Sequence, residues 1–183
     1  MDTGSLEYNE KICKNEEIID YTNSAITEFL IKLSGVVDVN GEKIIGSYFH
    51  VLNDLERIGD HAENFNEIGI GMKNKNVTFS EQGAKGLMVM RDTVIKMFDI
   101  SKDAFENLNK GRLDELTSLE ECVDIMKKDL IAKHFARLAE GNCSVDVSPY
   151  YSSTISGLER VADHLVNVGY SIVNPTGSQK SKL

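Results

Sequence analysis

The sequence predicts an all-α protein built from antiparallel helical bundles. Apolar residues recur every three or four positions over long stretches, which is the spacing of amphipathic helices. No segment alternates apolar and polar residues with the period of two that is typical of a half-buried strand, so we predict no strands. Only 2 of the 183 residues are proline. This scarcity favours long, uninterrupted helices.

A ten-residue segment that occurs twice organises the chain. Residues 55–64 read L-E-R-I-G-D-H-A-E-N, and residues 158–167 read L-E-R-V-A-D-H-L-V-N, with six of the ten positions identical. A second motif, E-E-x-x-D, also occurs twice, at 16–20 and at 120–124. The copies lie 103 and 104 residues apart. The repeated unit is therefore at least a pair of helices.

The first two helices are predicted at about 6–33 and from about Glu42 to Met72. Gly35 ends the first helix. A short loop containing Asn40 and Gly41 is expected to follow it. The apolar stripe of the second helix consists of Ile44, Tyr48, Val51, Leu55, Ile58, Ala62 and Phe65.

The third and fourth helices are predicted from a capping signal and from apolar spacing. Thr78 and Glu81 have the spacing of a capping box, so the third helix should begin there and end near Gly111. The fourth helix follows from about Leu113 to Gly141. Its apolar face consists of Leu116, Leu119, Val123, Met126 and Leu130.

The fifth helix is predicted from Pro149 to about Val173, because proline is tolerated in the first turn of a helix. All the connections are short, so helices that are neighbours in sequence should run antiparallel. We expect residues 1–183 to form one domain of two pseudo-repeats, at about 6–74 and 78–174. Residues 175–183 are predicted to be a disordered tail.

The two pseudo-repeats differ in their number of predicted helices. The second has three, whereas the first has only two and no counterpart of the third helix. We therefore expect the first pseudo-repeat to lack its opening helix, as in a fragment of a longer protein.

Composition and charge exclude several classes of function. The formal net charge of -9 argues against nucleic acid as a partner, since phosphate backbones need clustered Lys and Arg. No apolar run reaches membrane length, so the chain as given is expected to be soluble. The three cysteines lack metal-site spacing and are predicted to be free thiols. No phosphate loop and no nucleophile or zinc motif is present, so we predict that the chain is not an enzyme.

Carboxylates spaced four residues apart are the candidate site residues. Such pairs share one helix face and repel each other, and a multivalent cation would remove that repulsion. Hard oxygen ligands of this kind suit iron, manganese, magnesium or calcium. The pairs are Glu16 and Asp20, Glu56 and Asp60, Glu120 and Asp124, and Glu159 and Asp163.

The alternative is a solvated acidic face with local ion pairs, and physical reasoning alone favours it. Arg57 and Arg160 each precede the motif aspartate by three residues and could pair with it. Glu56 and Asp60 lie nearly opposite the apolar stripe of their helix. A metal would therefore bind at the surface, in a groove between helices, unlike the buried centre of a ferritin-like bundle.

The helical period also predicts on which face of each helix the histidines after the motif aspartates lie. His61 and His164 each flank the apolar stripe of their helix. We expect both to be satisfied histidines on the side of a helix rather than metal ligands.

The doubled L-E-R-[IV]-[GA]-D-H-x-x-N and the doubled E-E-x-x-D together resemble the PhoU family of phosphate-uptake regulators, over about Glu7 to Val173. The resemblance implies two three-helix bundles related by a pseudo-repeat. It also implies metal clusters held by E/D-x-x-x-D motifs, with iron as the first candidate and zinc, manganese or magnesium as others. The implied ligands are Glu16, Asp20, Glu56, Asp60, Glu120, Asp124, Glu159 and Asp163.

The resemblance implies that the chain is either a domain of a transporter or a free-standing regulator. Segments 26–34 and 51–57 look more like the C-terminal cytosolic domain of bacterial sodium/phosphate cotransporters. Our principal expectation is therefore a regulatory domain at the cytoplasmic face of the cell membrane, acting on its transporter in cis. The alternative is a free cytoplasmic adaptor, monomeric or homodimeric, that binds a phosphate transporter or sensor kinase in trans. A third hypothesis, hydrolysis at a surface metal, has no motif to support it.

Overall fold

The computed structural model describes residues 6–173, and the predicted tail at 175–183 lies outside this range. It confirms the all-α prediction, since residues 6–173 contain five long helices and no strand. Two short 3-10 turns, at 110–112 and 145–147, precede the last two helices. The helices are α1 (Leu6–Ser34), α2 (Val39–Asn74), α3 (Glu81–Asn107), α4 (Leu113–Ala139) and α5 (Ser148–Tyr170).

Local capping interactions move the start of α2 away from its predicted position. Oδ1 of Asp38 accepts a hydrogen bond from the Gly41 N–H at 2.9 Å, so the helix begins at Val39. The predicted loop at Asn40 and Gly41 is therefore wrong, because these residues form the first helical turn. An aspartate in this position satisfies one of the unpaired amides at a helix start.

The ends of α3 also differ from the prediction. Oγ of Ser80, rather than the side chain of Thr78, caps this helix by accepting from the Gly83 N–H at 3.2 Å. The helix ends before Gly111 because Leu108 adopts a left-handed conformation with φ of 51°. That conformation stops the helical hydrogen-bond pattern.

The helices pack around α5, which contacts α2, α3 and α4. The α1–α2, α2–α5, α3–α4 and α4–α5 pairs are antiparallel, whereas α3 runs parallel to α5. Within the described residues α1 packs mainly against α2. None of the described helices is long and apolar enough to cross a lipid bilayer.

The hydrophobic core lies between α3, α4 and α5, and Ile58 and Phe65 of α2 pack against its edge. Gly169 permits a close approach of α5 to α4, because a Cβ at this position would lie 2.6 Å from Cδ2 of Leu116. The fully buried side chains of this core include Leu87, Met90, Met97, Ile100, Leu116, Val123, Tyr151, Ile155 and Leu165.

The predicted apolar stripe of α2 is only partly buried. Of its residues, Ile44, Tyr48 and Leu55 are 54%, 44% and 40% exposed. Their equivalents 103 residues later are buried, whereas this face of α2 stays largely exposed among residues 6–173, although Phe105 of α3 touches the Tyr48 ring. The buried equivalents are Val147, Tyr151 and Leu158.

We predict that His134 makes stability depend on pH. Its Nε2 lies 3.0 Å from Oγ of Ser148, its Nδ1 lies 3.9 Å from Sγ of Cys143, and its ring stacks on Tyr151 at 4.6 Å. Burial, followed by the charge of Arg137, lowers the pKa of His134. The unfolded chain therefore binds more protons, and stability should fall as the pH drops below about 6.5.

Urea unfolding at pH values of about 7 and 5.5 measures this effect. The variant His134→Gln should lose less stability on acidification than the parent chain does. Replacement of the exposed His50 by Gln is the matched control and should leave the difference unchanged. Equal losses in the parent and in His134→Gln would contradict the prediction.

Candidate functional site

The packing of α1 on α2 brings two of the predicted carboxylate pairs together. Ile19 contacts Gly59, where a Cβ would lie 3.2 Å from Cδ1 of the isoleucine. Nδ2 of Asn23 donates to Oε2 of Glu56 at 3.3 Å. The resulting first acidic groove is lined by Glu16, Asp20, Glu56, Asp60 and Glu63.

The carboxylates of the first acidic groove repel one another. Partial burial, followed by the charges of Asp20, Glu63 and Asp60, raises the pKa of Glu16. Arg57 offsets part of this charge, since its Nη1 lies 3.1 Å from Oδ2 of Asp60 as the local ion-pair hypothesis predicted. An excess of negative charge shared by two helices remains in this groove.

Glu63 is a member of the groove that the motif comparison missed. Its repeat equivalent is Val166, so a search restricted to duplicated carboxylates cannot find it. Its position seven residues after Glu56, on the same helix face, is a signal that was present in the sequence.

α4 packs against α5, and these helices carry the other predicted ligands, Glu120, Asp124, Glu159 and Asp163, which we call the second acidic groove. Glu120 is buried, with 4% of its surface exposed, which is deeper than the surface position expected for a metal ligand. Nζ of Lys127 forms an ion pair with Oε2 of Glu159 at 3.0 Å. The second groove therefore also contains a cation, which is paired with the motif glutamate, whereas Arg57 of the first groove is paired with the motif aspartate.

The two grooves differ at one repeat-equivalent position. Lys127 of α4 corresponds to Asn23 of α1, at the same offset of 104 residues as the E-E-x-x-D motifs. Both side chains contact the motif glutamate, Glu159 or Glu56, but one brings a positive charge and the other a neutral amide. Alignment of the two repeats at this position would have revealed the difference from the sequence.

The donor chemistry of the first groove fits a hard cation better than that of the second. Its five carboxylates and the Asn23 amide face one cation, Arg57, whereas the second groove has four carboxylates and Lys127, so the first groove supplies more oxygen donors. Within residues 6–173, no three His, Cys, Asp or Glu side chains are arranged as a metal site. The fold thus brings the predicted ligands of α1 and α2 close together without arranging them as a coordination shell.

The two motif histidines meet between α2 and α5, with their ring centres 6.0 Å apart. Nδ1 of His164 lies 2.7 Å from Oδ1 of Asp54, and Nδ2 of Asn167 donates to the same oxygen at 3.0 Å. His164 is therefore the satisfied histidine that we expected. Burial, followed by the charges of His164 and Arg160, lowers the pKa of His61.

Asp54 was not singled out by sequence reasoning, yet it joins the two halves of the chain. We predict that Asp54→Ala will lower the free energy of unfolding by about 1–3 kcal/mol, because two partly buried donors lose their shared acceptor. Urea unfolding measures the change. Asp54→Asn keeps an acceptor oxygen and should lose less.

Exposed Asn53→Ala is the control for a general effect of substitutions in this turn of α2. A loss in Asp54→Ala no larger than that in Asn53→Ala would show that the Asp54 contacts contribute little.

Comparison with known proteins identifies the family. The PhoU domain model matches residues 1–68 and 87–172. Phosphate-specific transport system accessory protein PhoU homolog 1 of Thermotoga maritima is 24% identical over 178 residues, which is 94% of this chain and 75% of that protein. The corresponding PhoU homolog of Clostridium acetobutylicum is 25% identical over 167 residues, covering 90% of this chain and 75% of that protein.

Solved structures show the same fold. PhoU from Pseudomonas aeruginosa superposes with a TM-score of 0.83 at 19% identity, covering 91% of this chain and 80% of that one. The phosphate transport system regulatory protein PhoU from Streptococcus pneumoniae gives a TM-score of 0.77 at 22% identity, covering 92% and 79%. Since the family model matches most of the sequence and includes both copies of the repeated motifs, the chain belongs to the PhoU domain family.

Proposed function

We propose that this chain is a regulatory accessory protein that restrains phosphate uptake. The observation that carries the proposal is the PhoU domain match across both halves of the duplicated chain. The Thermotoga and Clostridium relatives are named as accessory proteins of a phosphate-specific transport system, which supports the same role. The expectation that the chain is not an enzyme is confirmed by its family, whose members are regulatory.

The comparisons favour a free-standing adaptor over our principal expectation of a cotransporter domain. The relatives named above are accessory proteins, and none of them is a sodium/phosphate cotransporter. We therefore propose action in trans on a phosphate transporter or on a sensor kinase. The native reading frame upstream of Met1 distinguishes the two forms, since membrane-spanning segments there would restore the cotransporter hypothesis.

We further propose that the first acidic groove binds a multivalent cation, with iron as the first candidate and zinc, manganese or magnesium as alternatives. A bound cation would replace repulsion between α1 and α2 with shared ligands. Because α1 packs mainly on α2, such ligation would fix the helix that has the fewest other contacts. The metal state of the groove could then control the shape of the surface that a partner meets.

Phosphate uptake in the native host tests the regulatory role. Cells that lack the gene should take up more radiolabelled phosphate at high external phosphate than parent cells do, and the intact chain should restore restraint. A chain carrying Asp20→Asn and Asp60→Asn should fail to restore it, whereas exposed Glu28→Gln should succeed. Identical uptake with and without the gene would overturn the proposal.

Capture of binding proteins from detergent-solubilised membranes of the same host tests the proposed partner. Recovery of a phosphate transporter or a sensor kinase by the intact chain, but not by the Asp20→Asn and Asp60→Asn chain, would support action in trans. The homodimer remains a prediction, and sedimentation equilibrium of the purified chain measures it.

A further inference from the structure

The two halves of the protein surround their equivalent histidines differently. On one side, His164 and Asn167 both bind Oδ1 of Asp54, at 2.7 Å and 3.0 Å. The side chain of Asp54 is only 13% exposed. This histidine and asparagine therefore hold a partly buried carboxylate in the interface between α2 and α5.

The other half keeps the histidine and the asparagine, as His61 and Asn64, but has no carboxylate at the equivalent position. The counterpart of Asp54 is Gly157, where a Cβ would lie 2.6 Å from Cε1 of Phe65. A larger residue cannot be placed there unless the Phe65 ring moves. Instead, a pocket of about 550 Å³ lies between α2 and α5, and His61 and Asn64 both line it.

The remaining walls of the pocket supply donors suited to an anion. Arg160 lines the pocket, as do the hydroxyl-bearing side chains of Tyr150, Ser153 and Ser156. Nζ of Lys75 lies 5.5 Å from the centre of the Tyr150 ring, which adds a second cation near the pocket.

The charge of Arg160 is not neutralised by an ion pair with any carboxylate of residues 6–173. Its repeat equivalent, Arg57, is paired with Asp60 at 3.1 Å. The one carboxylate that lines the pocket belongs to the exposed Glu67, which opposes the binding of an anion. Arg160 and Lys75 therefore outnumber the one carboxylate that lines the pocket, and Asp60, whose charge also acts on His61, is paired with Arg57.

We propose that this pocket binds a small oxyanion, either a carboxylate or a phosphate. The oxyanion would lie beside His61 and Asn64 as the Asp54 carboxylate lies beside His164 and Asn167 in the other half. Guanidinium, amide and hydroxyl groups are donors to anion oxygens, and charge-assisted hydrogen bonds of this kind are the strong ones. The site is distinct from the acidic grooves, and it requires neither a bound metal nor the proposed regulatory role.

Nuclear magnetic resonance of the isotope-labelled full chain tests the site at constant ionic strength. The chain is titrated with sodium phosphate and, separately, with sodium acetate, while the side-chain signals of His61, Asn64 and Arg160 are followed. We expect saturable shifts of these signals. Saturation by phosphate alone, by acetate alone or by both supports the proposal and identifies the class of oxyanion.

Variants of opposite expected sign make the test specific. Arg160→Gln should weaken binding about tenfold or more, because a charged donor is lost. Glu67→Gln should strengthen binding. Arg91→Gln is the control and should leave the affinity unchanged, because this arginine of α3 is paired with Asp92 and does not line the pocket.

Two results would overturn the proposal. One is the absence of saturable shifts with either anion in the parent chain and in Glu67→Gln. The other is an affinity that is the same in Arg160→Gln as in the parent, with the folded state of the variant checked by its backbone spectrum.

Discussion

The substitution Tyr151→Ala should lower the free energy of unfolding by about 3–5 kcal/mol, the range for removing a fully buried aromatic side chain. Tyr151 is 1% exposed. Its ring stacks on His134 at 4.6 Å and meets Phe79 edge-on at 5.5 Å, and its hydroxyl donates to the Gly83 carbonyl at 3.4 Å. The substitution therefore leaves a cavity in the core and removes the hydrogen bond to the Gly83 carbonyl.

Tyr48 is a matched control that the chain itself provides, because it is the repeat equivalent of Tyr151. It is 44% exposed and makes an edge contact with Phe105. Tyr48→Ala should therefore cost about 1 kcal/mol or less. Urea unfolding of the two variants measures the difference, and similar losses would show that α3 does not distinguish the two halves as described.

The second large expected effect is the loss of bound metal when the motif aspartates of the proposed metal-binding grooves are replaced. The double substitution Asp60→Ala and Asp163→Ala should remove bound metal while the helical far-ultraviolet signal survives. The single substitutions should be unequal. Asp60→Ala should remove most of the metal, because the first groove has Asn23 where the second has the ammonium of Lys127.

Metal content by mass spectrometry after dialysis, and calorimetric titration with iron or manganese, measure this asymmetry. Lys127→Asn gives the second groove the residue type that the first has at the equivalent position. It should raise the metal affinity of the second groove by about tenfold or more, because a positive charge that competes with the metal is removed. Lys133→Asn, at an exposed pair on the same helix, is the control. Unchanged metal content in the double variant would remove the assignment of these ligands.

The helices were predictable because each buries one face along most of its length, and apolar spacing records that face directly. Their ends were less predictable, because one side chain decides each of them. Asp38 adds a turn to α2, and the left-handed Leu108 stops α3 before Gly111. Such choices depend on a single hydrogen bond or backbone angle rather than on a repeated pattern.

The candidate ligands were found because they are duplicated, and the features that separate the two copies were missed for the same reason. Lys127, Glu63 and Asp54 have the repeat equivalents Asn23, Val166 and Gly157. A search for shared residues passes over all three. Each of these residues acts through a contact with a residue on another helix, and the sequence alone does not show which residue that is.

The sequence by itself determined the helical class, the number of helices, the duplication and the resemblance to the PhoU family. Local periodicity and repeated motifs encode these properties, and no contact between distant residues is needed to read them. Only the tertiary structure decided which apolar faces are covered. The stripe on α2 and its equivalent beside and within α5 have the same pattern. However, α3 packs closely over α5 and meets α2 at an edge contact between Phe105 and Tyr48, so Tyr151 is buried while Tyr48 remains 44% exposed. The burial of a side chain depends on which helices pack against it as well as on its own sequence. For this reason two nearly identical motifs lie in different environments.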